Sequence, residues 1–72
     1  LTKNEYRILL ALMESRGKVV SRERLMQRLW ETDSFVDENT LTVNVNRLRK
    51  KLEGAGLSGF ITTKFGVGYL VE

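Results

Sequence analysis

A chain of 72 residues with no cysteine, no histidine and a net charge of +3 has few chemistries open to it. Disulfides, thiolate ligands and histidine-dependent acid–base or triad catalysis are excluded, and the length gives one small domain that buries only about 60% of its unfolded surface. No apolar run approaches the ~18 residues of a membrane span and no signal-peptide pattern opens the chain, so it reads as soluble and cytoplasmic, with no cofactor or metal and no membrane contact.

The charge is unevenly placed. Residues 1–38 hold seven basic and seven acidic side chains, whereas residues 39–72 hold five basic and two acidic, so the whole excess sits in the C-terminal half. Such asymmetry points to a polyanionic partner for that half.

The first predicted helix covers residues 3–16. Thr2 is its N-cap, Glu5 completes a capping box, and Leu1 and Tyr6 take the positions of a hydrophobic staple. Its buried stripe is expected at Tyr6, Leu9, Leu10 and Met13, widened by Ile8 and Leu12. Arg16 suits the helix dipole and Gly17 the stop. Lys18-Val19-Val20 is long enough only for an edge or bridging strand. Ser21 caps a second helix over residues 22–30, with Val20 and Leu25 as a second staple. Leu25, Met26, Leu29 and Trp30 form its apolar face, and Arg22, Arg24 and Arg28 its polar side. Solubility explains those arginines; alternatively, an arginine at a helix N-terminus contacts phosphate together with free backbone N–H groups. In the connection 31–36 (ETDSFV), Phe35 and Val36 are expected to pack on the core. Asp33, Asp37 and Glu38 lack the alternating ligands and the glycine of a calcium loop.

The third helix, residues 38–53, starts at an Asp37 cap and stops at Gly54. Leu41, Val45, Leu48 and Leu52 make one apolar stripe, and Asn39, Val43, Asn46, Arg47 and Lys50 fall opposite. That outer face carries no acid. Arginine and asparagine can donate bidentately to guanine or adenine edges in a major groove. A solvated basic face explains the helix alone equally well. However, Asn39, Asn44 and Asn46 with the β-branched Thr40, Thr42, Val43 and Val45 are poor helix formers, easier to explain if some are kept for contact. Residues 60–65 and 69–72 then flank Gly66-Val67-Gly68 as a hairpin within 60–72. Helix, short strand, helix, loop, helix and hairpin is the order of a winged helix-turn-helix. The fold class is mainly α with a small β-hairpin (α+β), one domain over 1–72.

Four motifs recur together here: L-T-x-x-E-Y at the start, G-x-V-x-S-R-E-x-L into the second helix, R-L-R-x-K-L in the third and T-x-x-G-x-G-Y at the end. In this order and spacing the chain closely resembles the OmpR/PhoB-type effector domain of two-component response regulators. The resemblance implies sequence-specific binding to tandem direct-repeat half-sites in promoter DNA, controlled by phosphorylation of an N-terminal receiver domain. It implies the third helix in the major groove, the wing at the adjacent minor groove, and RNA polymerase facing the 31–36 loop. The four-stranded sheet that members carry before the first helix is absent from the sequence, so the chain looks like the C-terminal part of a longer regulator.

Carried over by position, Val43, Asn46 and Arg47 match base-facing residues. Asn44 is a further candidate base contact from the composition of the helix. Asn39, Thr40, Arg49 and Lys50 match backbone-facing positions, as do Arg22 and Trp30 on the second helix and Thr63 and Tyr69 in the wing. Lys51 and Lys64 are added as phosphate contacts from their charge. Phe65 stands where many members have a basic residue. It is expected to pack inward, the other use being an apolar contact in the minor groove. Asn46 stands where some members have arginine, pointing to an adenine preference. The runner-up function is a winged-helix interaction module with an acidic partner, but interaction surfaces favour aromatic anchors, which this face lacks. RNA binding would call for stacking aromatics, and no nucleophile has a paired base for an enzyme.

Overall fold

Each helix begins where a side chain closes its first turn. The Thr2 hydroxyl accepts from the Glu5 N–H at 3.2 Å while Glu5 Oε1 accepts from the Thr2 N–H at 2.8 Å, the reciprocal capping box read from the sequence. Ser21 Oγ accepts from the Arg24 N–H at 3.1 Å, and Asp37 Oδ1 from the Thr40 N–H at 2.7 Å. The computed structural model describes residues 1–31 and 36–72. Its elements are α1 (Lys3–Glu14), β1 (Val20–Ser21), α2 (Arg22–Trp30), α3 (Glu38–Gly54), β2 (Thr62–Lys64) and β3 (Gly68–Leu70).

Two helix ends differ from expectation. α1 stops at Glu14, and the Arg16 guanidinium donates to the Glu72 carbonyl at 3.1 and 3.3 Å, tying down the last residue of the chain. α3 runs through Gly54 and stops one residue later. Gly56, at φ +88°, donates to the Glu53 carbonyl, and Leu57 donates to the Leu52 carbonyl. That pair of bonds is a Schellman motif, and the left-handed residue it needs is Gly56.

Ile8, Leu12, Leu25, Leu29, Leu41, Val45, Leu48 and Val71 are fully buried, with Val20, Val36, Leu52, Ile61 and Tyr69 beside them. The α3 stripe is where its periodicity puts it. The α1 stripe is so only in part: Ile8 and Leu12, expected at its margin, are fully buried and face the interior with Glu5 and Ala11, whereas Tyr6, Leu10 and Met13 are exposed and Leu9 is half-buried. The cause is a buried carboxylate. Glu5 occupies a core position that hydrophobic periodicity counts as polar, which displaces the apparent stripe. Trp30, assigned to the buried face of α2, is 57% exposed. Val36 is buried as expected, and Phe35 lies outside the described residues.

The strands form one antiparallel sheet in the order β1-β3-β2. The 18–20 run contributes Val20 to β1, which pairs Val20 with Tyr69 and Ser21 with Gly68. The second glycine of the GVG turn is fixed by this crossing. A Cβ at Gly68 would lie 2.0 Å from the Val20 carbonyl oxygen, so any larger residue would push the two strands apart. The Arg22 N–H also donates to the Val67 carbonyl at 3.2 Å, fixing the wing against the start of α2. Among the described residues no helix is long and apolar enough to cross a membrane.

Candidate nucleic-acid interface

With its core stripe seated, α3 presents Asn39, Val43, Asn46, Arg47 and Lys50 to solvent. No hydrogen bond or ion pair engages the Asn46, Arg47 or Lys50 side chains among the described residues. A run of free donors on a helix anchored by four buried apolar residues is rigid where it is held and unsatisfied where it faces out, which suits hydrogen bonding to base edges. At the helix start, Thr40 has given its N–H to Asp37 and its carbonyl to Asn44, and its side chain also hydrogen-bonds the Asp37 carboxylate, so that the N–H and the hydroxyl together hold that carboxyl below its ordinary range. Asn39 is exposed beside it, where the helix dipole favours an anion.

The two flanks of α3 are engaged differently. On the wing side, Arg49 Nη2 donates to Thr63 Oγ1 at 2.7 Å, and Thr42 Oγ1 accepts from Arg22 Nη2 at 2.7 Å. Arg22 also donates to Tyr69 Oη at 2.6 Å and to the Glu38 carbonyl at 2.9 Å. Its guanidinium lies 5.7 Å from the centre of the Tyr69 ring. One arginine thus joins the starts of α2 and α3 to the wing. Expected as a phosphate contact, Arg22 spends most of its fork inside the chain and positions the others. Between α3 and the wing lies a cleft of about 300 Å³ whose lining includes Asn46, Arg49, Thr63, Lys64 and Tyr69. Tyr69 and Thr63 accept from arginines there and keep their own protons to donate.

On the opposite flank two candidates are corrected. Asn44 is buried, and its amide donates to the Thr40 carbonyl one turn back at 2.8 Å, so it does not face a base. Lys51 Nζ lies 2.6 Å from Glu5 Oε1, whose side chain is fully buried. Lys51 holds α1 to α3 instead of standing free for phosphate. The Lys51 ammonium and the Thr2 N–H hold the Glu5 carboxyl down at about 2, against the opposing effect of burial. Sequence reading missed both this pair and Thr42. Thr42 had a signal in its place one turn after Glu38, on the flank facing the wing. The Glu5–Lys51 pairing spans 46 positions and had none.

Phe65 is the third correction. It does not pack inward: it is 92% exposed at the wing tip. The hairpin closes through the Val67 N–H to the Lys64 carbonyl, which leaves the intervening side chains outside. Lys64 is exposed next to it. Trp30 lines a separate apolar groove with Met26, Val36, Asp37 and Glu38 at the start of α3. Of the 31–36 loop, residues 32–35 lie outside the described residues.

The family described as "Transcriptional regulatory protein, C terminal" matches residues 1–71. The chain is 56% identical over its full length to the sensory transduction protein BceR of Bacillus subtilis (strain 168), of which it covers 31%. It thus spans about a third of the length of the curated relatives it matches. Among solved structures, the C-terminal domain of the nisin resistance regulator NsrR, a lantibiotic response regulator, superposes with a TM-score of 0.88 at 49% identity, over 99% of this chain and 71% of that one. The DNA-binding domain of the response regulator AdeR, in complex with an intercistronic region, also superposes at 0.88, with 35% identity, over 100% of this chain and 71% of that one. The chain belongs to the transcriptional regulatory protein C-terminal family, and it is a winged helix-turn-helix DNA-binding domain of the OmpR/PhoB response-regulator type.

Proposed function

We propose that this domain reads duplex DNA with the outer face of α3 in the major groove. Arg47 donates to a guanine edge, Asn46 to an adenine edge, and Val43 meets a thymine methyl. Lys50, Arg49, Lys64, Thr63, Tyr69, Asn39, Thr40 and Trp30 engage phosphate and sugar around them, and Arg22 fixes the angle between helix and wing. The observation that carries the reading is the free, acid-free stripe of Asn46, Arg47 and Lys50 beside a cleft lined by two arginines and a lysine.

In the whole regulator, the domain serves as the cytoplasmic effector of a two-component system. A receiver domain precedes it, phosphorylation controls pairing, and two copies occupy tandem direct repeats in promoters. The 31–36 segment faces RNA polymerase in this arrangement. The relatives' greater length and the DNA-bound AdeR domain support the scheme. Selection of bound duplexes from a random pool tests it. A half-site recurring as a direct repeat about 10–11 base pairs apart is expected, and a pool with no enriched sequence would refute it.

A further inference from the structure

Asn46 shares its cleft with two guanidinium groups and is bonded to neither. Arg22, Asn46 and Arg49 all line the space between α3 and the wing, and no hydrogen bond engages the Asn46 side chain among the described residues. Asn46 and Arg49 are three residues apart on α3, the spacing at which helical side chains meet. A carboxamide oxygen is a ready acceptor for an arginine fork, so the contact is open to them and is not made.

Where each guanidinium is held explains this. Arg22 donates to Tyr69 Oη, Thr42 Oγ1 and the Glu38 carbonyl, which leaves little of its fork. Arg49 has much less. Its Nη2 donates to Thr63 Oγ1 at 2.7 Å, and its Nε is buried without a partner. Among the described residues, Thr63 is the one side chain that Arg49 bonds. Thr63 is fixed in turn by the wing, where β2 pairs it with Tyr69. Without that hydroxyl Arg49 would carry a second orphan beside its Nε, and unpaired buried donors are costly. Long side chains on a helix lean toward its N-terminus, which brings a freed Arg49 to Asn46 Oδ1 and away from Glu53. Adenine is read by both ends of a carboxamide, with Oδ1 accepting from N6 and Nδ2 donating to N7. A guanidinium on Oδ1 would take the first of these.

We propose that Thr63 is a positioning residue that determines specificity: by holding Arg49, the wing keeps the Asn46 carboxamide free to read adenine. This rests on the reading of Asn46 and Arg47 as base contacts. The wing thereby sets a base preference in the major groove without touching that base.

The test compares binding to the duplex enriched from the random pool with binding to copies changed at single base pairs. The proteins are wild type, Asn46→Ala, Thr63→Val, Thr63→Ser, Arg49→Met and the double variant Thr63→Val/Arg49→Met. Asn46→Ala marks the pair that Asn46 reads, where the wild type should favour A·T over G·C about tenfold. Valine suits a strand, and Thr63→Val should cut that preference to within about twofold while keeping the one at the Arg47 guanine. Thr63→Ser should retain both. Arg49→Met should weaken binding to every duplex yet preserve the Asn46 preference. Added to Thr63→Val, it should restore what valine removed, a rescue that a merely structural Thr63 would not show. Wild-type preference in Thr63→Val would overturn the proposal, the result expected if a freed Arg49 settled on Glu53. So would a lost preference that Arg49→Met does not restore. A pool with no enriched sequence, or an Asn46→Ala that changes no preference, would bring down the base reading of Asn46 and this inference together. An adenine preference that depends on Asn46 but is indifferent to Thr63 would bring down this inference alone.

Discussion

Lys50 and Lys51 are adjacent in the chain, and one step of 100° along α3 gives them different surroundings. Lys50 faces out with no partner among the described residues; Lys51 closes on the buried Glu5. Composition reads both as members of one basic run, because pairing is decided by a residue far away in sequence. Since the folded-state value of Glu5, about 2, lies below its ordinary 4.5, its ionisation stabilises the fold above pH 4.5. That contribution fades as pH falls toward 2. Glu5→Gln should therefore flatten acid unfolding in this window, followed by circular dichroism. Lys51→Met, which leaves the buried carboxylate without its cation, should cost about 1–3 kcal/mol at neutral pH. It should also leave the salt slope of DNA binding unchanged, where Lys50→Ala lowers it by about 1.

The elements divide by how local their causes are. Thr2, Ser21 and Asp37 cap within three residues, so all three helix starts were legible. The α3 stripe was legible too, since four apolar residues at helical spacing leave one solution. The α1 stripe was legible only at Ile8 and Leu12, because Glu5 is a charged group in the interior. β1 was legible only as a short strand: its partner Tyr69 lies across the chain, and only the close approach of Gly68 to Val20 reveals the pairing. Gly68→Ala should force the strands apart and cost about 1–3 kcal/mol in a denaturant melt. Arg22→Met removes the bonds to Tyr69, Thr42 and Glu38. It should loosen the wing, costing about 1–2 kcal/mol of stability. Its effect on DNA affinity should come with a smaller change in salt slope than that of Lys50→Ala.

At the scale of the whole molecule, the excess positive charge of the C-terminal half is sorted by the fold. Lys51 is spent on the core, while Arg47, Lys50 and Lys64 remain exposed and Arg49 lines the cleft. Charge counting gave the sign of the partner; only packing shows which cations remain to meet it. About three to four neutralised phosphates put the slope of log affinity against log salt near −3 to −4. Everything proposed for α3 turns on Arg47, held on a helix fixed by its buried stripe, reading a base. The most direct test is binding of wild type and Arg47→Ala to the enriched duplex and to a scrambled duplex of the same length, at one salt concentration. Arg47→Ala should lose about 1–3 kcal/mol on the enriched duplex and clearly less on the scrambled duplex. Equal losses on both would contradict it.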